Sequence, residues 1–271
     1  MRAEMAEAMF RRDRAIVSAG LGGVILLAWA YTYYLAQDMT GATHVHAGLL
    51  PMDAGMPALR PWGLVDIGFI FLMWVVMQVA MMIPSASPMI IGFAKLSRQR
   101  FGEQSPLFAT TLFFLGYVVM WTAFSVGATL AQWGLHSAAL LSPTMVSTSS
   151  VLGGLILIAA GIFQFTQIKE ACLQRCRSPL GFLLTEWREG RRGALVMGLR
   201  HGAFCVVCCW LLMALLFVAG VMNLLWIAII TVYILIEKLA PRGRLVSHSI
   251  GVVVIAWGLW LLAGGAQIPG V

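Results

Sequence analysis

Seven predominantly apolar blocks succeed one another along the chain, at about 16–36, 64–83, 107–132, 151–168, 203–222, 224–236 and 245–264. A helix needs about 20 such residues to cross the roughly 30 Å hydrocarbon core, and lipid offers no partner for an exposed backbone N–H or C=O. The pattern therefore predicts an all-α fold, a polytopic transmembrane helical bundle of about seven spans. The block at 224–236 is short for a full crossing. Connections are brief except for an outer loop at 37–63 and an inner, cysteine-bearing loop at 169–202, so residues 1–271 read as a single membrane domain.

Composition agrees with this picture and excludes a soluble globular protein. Hydrophobic residues make up 60% of the chain and charged residues only 11%, against roughly 25% charged in an average soluble domain. The 18 basic and 11 acidic side chains leave a formal charge of +7. In so apolar a chain this excess points to the lipid bilayer rather than to nucleic acid. With the N-terminus inside, every Lys and Arg except Arg60 falls on one side, as the positive-inside rule requires, and the C-terminus lies outside. The first block is long and runs into Tyr31, Tyr33 and Tyr34, which reads as a retained span rather than a cleaved signal. Trp62, Trp133 and Trp187 sit near predicted ends, where indole rings anchor at the headgroups.

The five cysteines are grouped: Cys172 and Cys176 follow the fourth block, and Cys205, Cys208 and Cys209 open the fifth. All lie near the inner face, in a reducing compartment where paired thiols serve metal binding or redox chemistry more often than disulfides. Helical spacing puts Cys172 and Cys176 on one face, and His201, Cys205, Cys208 and Cys209 on another broad face. Thiolate and imidazole together suit copper or zinc ahead of an iron–sulfur cluster. Cysteine is also a small apolar residue that packs well between membrane helices.

Soft donors continue in the second block, where Met73, Met77 and Met81 recur four apart. Thioethers favour Cu(I), although methionine equally fills irregular packing gaps. The stripe runs toward Pro84 and Pro88, which are expected to break the helix near the cysteines. Polar residues inside spans are functional candidates by default. They include Gln78, Gln164, Gln167, Lys169, Glu237 and Lys238, with a Lys169–Glu237 ion pair as one option and a hard ligand or proton acceptor as others. His248 near the inner face reads as a snorkelling or backbone-bonded side chain. On the outer side, His44 and His46 would face one way if the segment were extended, offering a second metal site.

No phosphate-binding loop, zinc-protease helix or hydrolase nucleophile elbow is present, so ATP-driven transport by this chain alone and common hydrolase chemistry have no support. The blocks MWVVMQVAMMIPS (73–85), GYVVMW (116–121), QFTQIKEACLQRC (164–176), GAFCVVCCW (202–210) and GVMN (220–223), with Glu237 and Lys238, are specific in combination. Through them the chain resembles an uncharacterised bacterial family of predicted metal-binding integral membrane proteins. That resemblance implies a multi-pass protein of the bacterial inner membrane with the cysteines as metal ligands, and it does not extend to His44 and His46. Three functions fit the residues. The first is a soft-metal protein that handles or transfers copper or zinc, with a membrane or metal-delivery protein as partner. The second is a membrane-bound metalloenzyme or thiol redox protein, and the third a scaffold whose cysteines only pack.

Overall fold

A computed structural model describes residues 2–49, 62–101, 106–141 and 149–264, with side chains over 11–37, 62–100, 106–141 and 149–264. It contains ten helices among the described residues: α1 (Arg2–Leu49), α2 (Leu64–Phe101), α3 (Pro106–Ser137), α4 (Ser150–Phe163), α5 (Gln167–Arg177), α6 (Pro179–Thr185), α7 (Gly190–Ala214), α8 (Leu216–Ala219), α9 (Leu224–Leu239) and α10 (Gly243–Leu262). The fold is all-α. Every predicted apolar block is mainly helical, with breaks at 164–166 and 220–222, but five helices are long and apolar enough to cross a membrane, or six if α4 and α5, bent by 65°, form one broken span. The block at 224–236 corresponds to the 16-residue α9, which is shorter than a full crossing requires.

Three boundaries differ from the sequence expectation. Helix α1 continues through Leu49, so 37–49 is helical backbone rather than the start of a loop. The side chains of His44 and His46 lie outside the described residues, but the extended segment invoked for them is absent. The inner stretch 169–202 is a run of helices, α5, α6 and the first half of α7, of which α5 and α6 are capped by side chains. Thr166 Oγ1 accepts from Lys169 N and Ser178 Oγ from Gly181 N, each satisfying one of the N–H groups a helix start leaves over.

The third difference is at Pro84 and Pro88, which lie inside an unbroken α2. Pro84 has no N–H to offer the Ala80 carbonyl four residues back, and the Trp29 indole of α1 donates to that carbonyl at 3.1 Å instead. Ser85 and Ser87 hydroxyls donate to Met82 and Ile83 carbonyls at 3.0 and 2.8 Å. A helix packed on several sides can thus re-satisfy the backbone that proline disturbs.

Two helix pairs are held by glycine. A Cβ on Gly198 of α7 would collide with the Phe113 carbonyl of α3, and one on Gly116 would fall 2.8 Å from Leu199 N. Gly202 meets Tyr117 and Met120 in the same way, so α3 and α7 run parallel with 113 beside 198 and 117 beside 202. Between α4 and α10, Gly154 faces Gly258 and Gly161 faces Gly251. Small residues let backbones approach closely, the usual basis of contact between apolar helices.

Basic segments share one end of the bundle. Asp13 pairs with Arg98, Arg100 lies 5.1 Å over the Trp187 ring, Glu186 pairs with both Arg175 and Arg200, and Arg177 donates to the Ala240 carbonyl. At the other end Trp62 stacks on His136 at 4.1 Å.

Candidate metal site

Helix α7 delivers its cysteines to the interior because Gly198 and Gly202 bring its flank against α3. Cys205, Cys208 and Cys209 are all completely buried. Cys208 Sγ lies 3.2 Å from Cys209 Sγ and donates to the Cys205 carbonyl at 3.2 Å. Cys176, from the last turn of α5, interacts with Cys205 and Cys208. Four of the five predicted thiols therefore meet. Cys172, one turn earlier, remains partly exposed and shares no hydrogen bond with them.

Cys205 has the most connections. Lys238 Nζ donates to its sulfur at 2.8 Å and to Ser85 Oγ at 3.2 Å, while the Tyr117 hydroxyl is 3.1 Å from the sulfur and 3.4 Å from the Met82 carbonyl. Helices α2, α3, α7 and α9 converge on this atom. Lys238 is buried and no carboxylate pairs with it among the described residues. A buried ammonium needs a compensating partner. Lys238 is thus placed to balance a Cys205 thiolate, and with it the negative charge that a thiolate-bound soft ion would leave.

His201 occupies the preceding turn of α7, boxed by the rings of Phe113, Tyr117 and Phe182 at centroid distances of 6.0, 5.5 and 5.4 Å. Its Nδ1 is buried without a hydrogen-bond partner. Met77 and Met81 are completely buried in α2. Among the described residues no three His, Cys, Asp or Glu side chains surround a common point as a metal would require. The cysteines are free thiols, with Cys208 and Cys209 in hydrogen-bond contact. A tetrahedral metal about 2.3 Å from each thiolate sets sulfurs about 3.8 Å apart, so the 3.2 Å Cys208–Cys209 pair has to open slightly to take an ion.

The remaining polar candidates form a separate network at the α4–α5 bend. Lys169 and Glu237 make a fully buried ion pair at 2.7 Å. Tyr233 donates to Glu237 at 2.8 Å and to Gln164 Oε1 at 3.3 Å, Ser247 donates to Gln164 at 3.0 Å, and Lys169 Nζ also donates to Gln164. Gln167 is exposed and takes no part. His248 stacks on Phe165 at 4.9 Å. Tyr117, Ser85, Tyr233 and Ser247 were not legible as site residues. Only Tyr233, four residues before Glu237 on one helix, carried a local signal.

The fold and the buried group define an all-α protein with apolar helices of membrane length and an interior cluster of soft ligands. The family model described as PpoB2, copper chaperone, matches residues 71–261, and the chain belongs to that family. The match runs from α2 into α10, taking in every cysteine and leaving out His44 and His46. Copper is the metal its description names, and zinc and iron–sulfur gain no support from it. No curated protein and no solved structure matches the chain.

Proposed function

We propose that this protein is a membrane-embedded Cu(I) chaperone that holds the ion on Cys205, Cys208 and Cys209, with Cys176 as a further ligand and His201 beside them. It transfers the ion to a membrane or metal-delivery partner. The carrying observation is the meeting of four buried thiols at an ammonium, Lys238, that can offset thiolate charge. Soft thiolates select Cu(I), and the family is described as a copper chaperone. In this reading the chain sits in a bacterial inner membrane with its basic end and N-terminus inside, α9 tilting or dipping as a short seventh crossing, and the C-terminus outside.

The test is anaerobic purification in detergent, reconstitution with Cu(I), and metal counting by mass spectrometry beside a C205S/C208S/C209S variant. At least one equivalent of copper in the natural chain and one equivalent fewer in the variant are expected. Equal, negligible copper in both would overturn the assignment.

A further inference from the structure

Gln78 is completely buried in the middle of α2, and neither its Oε1 nor its Nε2 has a hydrogen-bond partner among the described residues. A carboxamide offers two donors and two acceptor lone pairs, and buried polar atoms without partners are uncommon enough to demand a cause. Nothing in the copper site described above uses it.

Its position follows from helix register. On α2, Gln78 is one turn after Trp74 and one turn before Met81 and Met82, all completely buried. Trp74 donates to Gln132 of α3 at 2.6 Å and packs 5.6 Å from Phe217 of α8. The Met82 carbonyl and Cys205 Sγ share the Tyr117 hydroxyl. Antiparallel to α7, α2 therefore passes from the Cys205 level at Met82 to the Phe217 level at Trp74, with Gln78 between. The α7 side chains buried at that intermediate level are Cys209, Leu212 and Met213. By this register, proceeding away from the basic end, Gln78 and Met213 fall between the thiol group and the Trp74–Gln132 bond, with Met81 one turn from Gln78 on the thiol side.

We propose that this middle layer is a second Cu(I) station, in which Gln78 Oε1 and the sulfurs of Met81 and Met213 take the ion from the thiols and carry it away from the basic end. The choice of cargo rests on the copper-chaperone reading above. Thioethers are soft, uncharged ligands suited to Cu(I), and an amide oxygen with no competing bond is available to complete the set. The step is ligand exchange only. A Cu(I)–thiolate bond breaks, a Cu(I)–thioether bond forms, copper stays Cu(I), and the thiolate left behind faces the Lys238 ammonium.

The full chain in detergent, titrated anaerobically with Cu(I) and freed of loose metal, is expected to retain two equivalents. Q78L and M81L/M213L each retain one, C205S/C208S/C209S retains one, and Q78M, which keeps a soft donor of similar length, retains two. X-ray absorption of the triple-cysteine variant is expected to show thioether sulfur at copper. Retention of the same copper by Q78L and M81L/M213L as by the natural chain would overturn the second station, leaving Gln78 a water partner and the methionines packing. One equivalent in the natural chain, lost with the cysteines, would likewise overturn it while the thiol site stood. Copper lost with the methionines but not with the cysteines would overturn the thiol assignment and keep the station.

Discussion

Two consecutive residues of α9 enter two different kinds of polar interior. Glu237 closes a network in which carboxylate, ammonium, phenol, amide and hydroxyl answer one another: Lys169, Tyr233, Gln164 and Ser247. Lys238 enters a group whose other members are sulfurs, a phenol and a serine, where its positive charge meets no carboxylate among the described residues. The first network is complete as a structural element. In the second, the ammonium meets a thiol whose charge depends on its protonation. A buried pair of fixed opposite charges serves architecture, whereas an ammonium opposite a thiol suits exchange in the copper-chaperone role proposed above.

The largest expected effect breaks that contrast at its source. E237Q leaves the Lys169 ammonium, 1% exposed, without its counter-charge. Removing one member of a buried ion pair typically costs about 3–5 kcal/mol, which thermal unfolding in detergent will register. K238M leaves a thiol that can keep its proton, so the loss of stability is smaller, within about 1.5 kcal/mol by analogy with tolerated side-chain swaps of similar volume. Its Cu(I) affinity, read by competition with a chromophoric chelator, falls about ten- to a hundredfold, the equivalent of one charged hydrogen bond of about 1.5–3 kcal/mol. Equal destabilisation by the two variants would erase the distinction between the two interiors.

Glycine contacts allow each region to be disturbed separately, with an intermediate effect. G198A drives a methyl group into the Phe113 carbonyl and displaces α7 from α3, parting Cys205 from Tyr117. G251A presses on Gln164 Cβ at 2.9 Å and on the Gly161 carbonyl, where α10 crosses α4 beside the closed network. Overpacking of this kind costs about 1–3 kcal/mol, so both variants unfold earlier. Only G198A is expected to lose copper as well. Copper loss in G251A would mean that the two regions act as one unit.

Periodicity and charge made the helical architecture legible, since an apolar block of membrane length has few alternatives and the basic residues mark its ends. The thiol group was legible as well, because Cys205, Cys208 and Cys209 share a helix. What escaped were features decided by distant partners. Pro84 reads as a break until Trp29, 55 positions away in the chain, is seen bonding the carbonyl it frees. The Lys169–Glu237 pair was one of the options open in the sequence and is present, whereas no local pattern placed the adjacent Lys238 beside Cys205. Tyr117 reaches Cys205 only because glycines fix the register of α3 against α7. Helix α5 was hidden by its polarity, which in an apolar chain reads as loop, and the apolar α6 by its length of only 7 residues.

The smallest expected effect tests the pair that spacing alone could not separate. Cys172 and Cys176 are four apart, and on an isolated helix they share a face. Packing divides them: Cys176 is 7% exposed and interacts with Cys205 and Cys208, whereas Cys172 is partly exposed beside Arg175. C172S therefore changes stability by less than about 0.5 kcal/mol, as expected of a surface substitution, and retains the copper of the natural chain. C176S removes a buried sulfur from the group and lowers copper affinity. Measured side by side by mass spectrometry and chelator competition, the two serines separate position on a helix from position in the fold. Equal loss of copper from both would return Cys172 to the ligand set and require α5 to rotate when the ion binds.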